Sequence, residues 1–194
     1  GAGSRDNGIP YSSFGLVWKK WGKEVAGEEE SNIIDQKLVC PIDANDNGVS
    51  LGENKFKGIR EYTIYDFITS YSDEGEFSEE ELLKKFLESV DMAKGVLRRE
   101  INIAQRGIRD KQAIKKLLAE SKDKRVVVLD RSLLWLETLV SEPETIYVVY
   151  PRKDSTWGTQ AVPINLYDGF FKHRKHFPES WGGKTDAELG SVLV

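Results

Sequence analysis

Between Ser78 and Ala119 the chain carries one apolar stripe whose period admits a single long helix. Ser78 followed by Glu81 forms a capping box, in which each side chain serves the other residue's backbone N–H. Behind it Leu82, Phe86, Val90, Ala93, Leu97, Ile101, Ala104 and Ile108 alternate spacings of four and three, the signature of one helical face. Gly95 and Gly107 each weaken the helix by about 1 kcal/mol relative to alanine. The stripe predicts core packing along its length, and a helix this long is of the kind that joins two domains.

The segments on either side of this helix have different periods. Residues 1–9 read as an extended, Gly-rich lead-in. Ser12 or Ser13 caps a helix with Phe14, Val17, Trp18 and Trp21 on one side, ending near Gly22. A second helix starts around Glu28 to Ser31 and is expected to bury Ile33, Ile34, Leu38 and Ile42. Pro41 removes a backbone donor inside it, predicting a kink or irregular turn just before Asp43, or else the end of the helix. Residues 49–62 look irregular, and Thr63 then caps a short helix with Ile64, Phe67, Ile68 and Tyr71. After Ser121 the pattern turns strand-like: Arg125–Leu129, Ile146–Tyr150 and Trp157–Ile164, with a small helix at Leu133–Leu139 between the first two. The turn Pro151–Thr156 makes the last two strands an antiparallel hairpin. Thr185 with Glu188 is another capping box. The expected fold class is α/β: a mainly helical part and connector helix over residues 1–120, then a small α+β domain with a mixed or antiparallel sheet over 121–194.

Composition excludes some functions. With 39% hydrophobic and 31% charged residues, the chain has the make-up of a folded globular protein and not of a disordered one. Cys40 is the sole cysteine, so no intrachain disulfide forms and a reducing compartment suits the chain. No apolar run reaches the roughly 20 residues that span a bilayer. A net charge of −4 argues against wholesale coating of nucleic acid, yet from Lys94 to Arg125 eleven Lys/Arg stand against four Asp/Glu. Residues 73–81 are dense in acid. Both clusters also suit a solvated helix with charges matched to its dipole.

Chemistry concentrates at two places. In Leu38–Gly48, Asp43 and Asp46 lie three apart, so on a helix they share a face and could reach a common cation. A calcium-binding EF-hand is rejected: the twelfth position of such a loop is Asn54, the eighth is Ser50, and Pro41 spoils the entering helix. The alternative is an Asx-rich helix stop, ended by Asn47 and Gly48, in which side chains satisfy local backbone groups. Cys40 reads as a small buried hydrophobe. Further on, His173 and His176 are spaced as a two-histidine metal site, but neighbouring Lys and Arg repel a cation. Arg174, Lys175 and Trp181 instead suit phosphate and base, unless the loop is merely a basic surface.

Four runs carry a resemblance to a known family: IPYSSFGLVWKKWG (9–22), LVCPIDANDNG (38–48), IYVVYPRKDSTWGTQAVPIN (146–165) and FFKHRKHFPESWGGKTDAEL (170–189). Together, in order, they resemble the melanocyte-proliferating-gene (MYG) family, often labelled metal-dependent protein hydrolases, of the DHH phosphoesterase superfamily. The resemblance implies the C-terminal, mainly helical part of a DHH-type domain ahead of a partial substrate domain. It implies hydrolysis of nucleic acid, 3′-to-5′ on single-stranded RNA, with two divalent ions, usually manganese. Asp43 falls at the superfamily's fourth metal-binding motif, with Asp46 the adjacent alternative, and Arg174 and Lys175 keep the pattern of its basic loop. Its compartments are the bacterial cytoplasm or eukaryotic nuclei and mitochondria.

The family's His/Asp and Asp-His-His motifs do not occur in this sequence, nor does its closing His-Gly-rich segment. Two ions a few Å apart need several carboxylate and imidazole ligands. The expectation is therefore a fragment, inactive alone, of a metal-dependent phosphodiester hydrolase. The rival is a non-catalytic module that binds RNA or protein. Homodimerisation stays open, and exposed apolar faces are expected on the first two helices.

Overall fold

The computed structural model describes residues 3–54, 56–70, 77–166 and 172–192. The chain forms two compact units, Gly1–Gln105 and Arg106–Val194. Their boundary lies inside the long helix, whereas the change of period in the sequence falls near residue 120. The fold class is the expected α/β, with a long helix followed by a small mixed sheet. Among the described residues no helix is long and apolar enough to cross a membrane.

Unit 1 begins with α1 (Ser13–Ala26), which passes through Gly22 and stops at Gly27, whose φ of +103° suits glycine. Its buried residues are Gly15, Trp18, Gly22 and Ala26, while Val17 and Trp21 are exposed at 58% and 47%. The expected face was thus rotated, and the glycines explain why. The Trp18 ring lies over Gly22, where a Cβ would come within 2.8 Å of it. Gly22 is a packing seat and not a stop. The Trp18 indole N–H donates to the Ser31 carbonyl at 3.0 Å, tying α1 to α2 (Glu28–Ile34).

Next comes a π-helical turn, Asp35–Val39, and then α3 (Cys40–Asp46) with Pro41 in its first turn. The irregularity expected before Asp43 is therefore a widened turn, and the helix continues beyond it. One extra residue per turn shifts the buried set: Ile34 and Val39 are buried, Leu38 and Ile42 are half-buried, and Ile33 is exposed, contrary to expectation. Residues 49–54 and 56–62 are irregular. α4 (Ile64–Thr69) starts at a full Thr63–Asp66 capping box, and Tyr71 lies outside the described residues.

The long helix, α5, runs Glu79–Glu120. Its capping box is formed, with Ser78 N–H donating to Glu81 at 2.9 Å and Glu81 N–H to the Ser78 hydroxyl at 3.3 Å. Core packing along the whole stripe is not found. Leu97, Ile101 and Ala104 join Trp18, Ala26, Ile34 and Val39 in one apolar cluster, but Leu82 and Phe86 are exposed at 52% and 63%.

Unit 2 packs Ile114 and Leu118, near the end of α5, against one face of a three-stranded sheet. β1 (Val126–Val128) runs parallel to β2 (Tyr147–Pro151), with α6 (Leu136–Val140) in the connection. β2 and β3 (Trp157–Ala161) form the expected antiparallel hairpin, Tyr147 opposite Ala161 and Pro151 opposite Trp157. Val127 and Val148 face the core with Leu129, Leu133, Leu139 and Val162. Asp110 is buried on α5 and accepts the Leu134 N–H at 2.8 Å, holding the loop before α6. α7 (Asp186–Gly190) begins after Thr185 as expected, but with no side-chain cap; the Thr185 carbonyl accepts the Glu188 N–H instead.

Candidate functional site

The Asp43 corner is assembled by the lead-in. Backbone bonds from Arg5 N–H to the Ile9 carbonyl and from Gly8 N–H to the Arg5 carbonyl fold residues 5–9 into a tight loop that presents Arg5. The guanidinium grips Asp35 with two bonds, at 3.0 and 2.8 Å, and Asp43 with a third at 2.6 Å. In a plain α-helix residues eight apart sit about 80° out of line; the π-helical turn takes up that offset, so both carboxylates reach one cation. The other Asp43 oxygen accepts a short hydrogen bond from the Ser12 hydroxyl and the Gly15 N–H at 3.0 Å. Gly15 lies so close that a Cβ there would stand 1.8 Å from Oδ2. The hydrogen bonds Arg5 donates to Asp35 raise its pKa above the usual value, burial opposes this, and the bond to Asp43 raises it further. The N-terminus of α1 adds its positive dipole to the same carboxylate.

Asp46 is exposed and Asp43 fully buried, so the two are not presented together. The residues after them form a helix stop. The Asn47 amide donates to the Asp43 carbonyl at 2.8 Å, Val49 N–H reaches the Ala44 carbonyl, and Gly48 takes φ +69°. Cys40 is buried.

A divalent ion needs several oxygen or nitrogen ligands facing one point with no competing cation. Here both Asp43 oxygens are engaged, the cation's place is held by Arg5, and among the described residues no three His, Cys, Asp or Glu side chains cluster to hold a metal. The residues present do not fit the manganese pair that the resemblance implied.

The second candidate lies in unit 2. Residues 172–174 run alongside 162–164, through Ile164 N–H to the Lys172 carbonyl and Arg174 N–H to the Val162 carbonyl. Arg174 then turns its guanidinium onto the main chain. It donates to the carbonyls of Leu139, Val140, Glu142 and Thr145, at 3.3, 2.5, 2.5 and 2.7 Å. These include the Val140 carbonyl at the end of α6, while the Leu139 carbonyl also accepts the Glu142 N–H. Burial lowers the Arg174 pKa, though a guanidinium stays charged. Arg174 therefore fastens the loop, and Lys175 is the exposed cation beside it.

Trp181, in a short 3₁₀ turn (Glu179–Trp181), belongs to a ladder of rings. Its indole stacks on Phe177 at 5.6 Å and 24°, and Phe177 stacks on Tyr147 at 4.9 Å and 11°. Tyr147 donates its hydroxyl to the His176 carbonyl at 3.1 Å, which fixes the loop over the sheet. The sequence singles out Lys175 and Trp181 but not Tyr147 and Phe177, which complete the ladder. Strand alternation carried the signal, since it sets Tyr147 on the face opposite Val148. The His173 and His176 rings meet edge-on at 5.4 Å.

Another basic group is less available. Lys122, Asp123, Lys124, Arg125 and Glu144 line a shallow depression, where Arg125 is held by Asp123 at 2.7 Å. That contact, led by the Arg125 side chain, depresses the Asp123 carboxyl to about 2.

A family model, MYG1_exonuc, described as Uncharacterised protein family (UPF0160), matches residues 2–193 of the chain. No curated protein and no solved structure gives a significant match.

Proposed function

The chain belongs to the MYG1_exonuc family, and from that premise we propose that it serves the hydrolysis of phosphodiester bonds in single-stranded RNA, its own share being to hold the strand. The family's name places it among nuclease-related proteins; RNA as substrate and 3′-to-5′ direction are our extension. The observation that carries the reading is the loop 172–181. It sets an exposed ammonium, Lys175, and a stacked indole, Trp181, on a segment that Arg174 fastens to four carbonyls. A lysine meets phosphate as a point charge, and a ring face takes any base. Asp43 and Asp46 are given no metal and no reaction step.

Titration of the 194-residue chain with single-stranded RNA at two salt concentrations, without metal, tests this. Binding that weakens as salt rises is expected, because phosphate contacts release counterions. Absence of binding, or binding indifferent to salt, overturns it. No nucleotide release is expected when manganese is added; release would contradict the corner's assignment.

A second reading, a module that docks a protein, draws on unit 1. Val17, Trp21 and Val25 are exposed on one side of α1, as are Leu82 and Phe86 on α5. Contiguous exposed apolar residues mark docking surfaces.

A further inference from the structure

The side of the unit 2 sheet away from its apolar core is covered where Ala161 is buried and the 172–181 loop lies over Tyr147, and is open toward Trp157. Strand pairing sets Tyr147, Val149 and Pro151 of β2 on the same side as Ala161, Thr159 and Trp157 of β3. Val126 and Val128 of β1 join them through the parallel register. The opposite side carries Val127 and Val148 into the core. On this side Trp157 is 57% exposed and Val128 56%. Buried aliphatic side chains explain one face of the sheet; they do not explain a large exposed indole on the other.

The aromatic groups stand at the two ends of this face. At one end is the ladder Tyr147–Phe177–Trp181. At the other is Trp157, opposite Pro151, four residues and so roughly 13 Å along the strand from Tyr147. Between them lie small or β-branched side chains, Val149, Thr159 and Val128, which make a low floor. Exposed cations accompany each end: Lys175 beside the ladder, and Lys153 in the hairpin turn before Trp157. The nearest acid in that turn, Asp154, is engaged by the Thr156 N–H and hydroxyl.

We infer that this face is a track for a single strand of nucleic acid with two base-stacking stations. Trp181 extends the ladder by one unpaired base, Trp157 takes a second, and Lys175 and Lys153 meet the phosphates. The inference rests on the strand-holding reading above and adds the sheet face, the second station and the requirement for unpaired bases. A duplex keeps its bases stacked on one another and offers neither indole a free ring face, whereas an unpaired base stacks on any aromatic plane. The flanking lysines make nucleic acid the fitting occupant, because an apolar protein surface gains nothing from them.

The test measures oligouridylate and duplex RNA binding to the intact chain by fluorescence anisotropy, with Trp157→Ala, Trp181→Ala, Trp181→Phe and Lys175→Ala variants. Each Trp→Ala change is expected to weaken single-strand binding by about 5- to 150-fold. Duplex affinity should be unmoved by them, and Trp181→Phe should retain most of the single-strand affinity. Lys175→Ala should lower the salt slope by about one. If Lys175→Ala and Trp181→Ala weaken binding and Trp157→Ala does not, the track is wrong and the strand-holding reading survives; if neither Trp→Ala change weakens it, both readings fall. If no RNA binds the chain, both fall. Should Trp181→Ala prevent folding, Trp157→Ala decides, since an exposed ring is no part of the core. Equal loss of duplex and single-strand binding, or indole-dependent capture of a protein in place of RNA, also overturns the inference.

Discussion

Arg5 and Asp43, 38 residues apart in sequence, meet in a 2.6 Å bond between a guanidinium and a fully buried carboxylate. Arg5 also holds Asp35, so losing Asp43 leaves it paired, whereas losing Arg5 strands the buried Asp43 carboxylate. Arg5→Met is therefore expected to cost about 3–5 kcal/mol, and Ser12→Ala about 1–3 kcal/mol through the lost charge-assisted bond. Gly15→Ala should cost at least as much as Arg5→Met, because its methyl would collide with Oδ2. Urea unfolding measures all three. Losses below about 0.5 kcal/mol, the scale of an ordinary surface change, would show the corner to be slack.

With Arg5 in the cation's place, manganese should not stabilise the chain. The thermal midpoint is expected to stay unchanged on titration with Mn²⁺, since only a ligand that binds the folded state raises it. A rise that Asp43→Asn abolishes would return Asp43 to a metal site.

Arg174 and Lys175 are neighbours with opposite duties. Arg174→Lys should destabilise unit 2 by about 2–3 kcal/mol, because an ammonium cannot span four carbonyls as the planar fork does. Amide exchange around residues 139–145 should quicken, and the salt slope of RNA binding should hold. Lys175→Ala should do the reverse. A changed salt slope in Arg174→Lys with unaltered stability would contradict the division.

At the start of α4, Asp66 is held well below the usual carboxylate range, first by the Arg60 side chain and then by the Thr63 N–H and hydroxyl. A folded pKa below the unfolded one contributes stability that is full above the unfolded value, about 3.9, and is lost as pH falls through the folded value. The cap should thus persist at pH 4 and open only in stronger acid. Following the Thr63 and Asp66 amide resonances down in pH checks this; opening near pH 5 would refute it.

The two halves of the α5 stripe should respond differently to substitution. Ile114→Ala, fully buried in unit 2, should cost about 2–5 kcal/mol. Phe86→Ser, on the exposed half, should change stability by no more than about 0.5 kcal/mol. A large loss at Phe86, with sedimentation showing a dimer, would mean that a second copy covers it.

Local chemistry was legible in the sequence. The Ser78–Glu81 box, the cap at Thr63, an irregular turn ahead of Asp43, the helix stop at Asn47 and Gly48 and the β2–β3 hairpin each depend on residues a few positions apart, and such residues interact whatever surrounds them. Which faces are buried was not legible in the same way. Val17 and Trp21 matched the helical period as well as Trp18 did, but close approach at Gly15 and Gly22 turned α1 onto its small residues. Arg5 drew no notice in a polar lead-in, yet it meets Asp35 and Asp43 from 30 and 38 positions away. Tyr147 read as one strand residue among several until Phe177 and Trp181 stacked on it. Period and capping follow from the backbone's own repeat, so sequence records them. Pairing between distant side chains depends on how the chain closes on itself, and that is settled only when the elements pack.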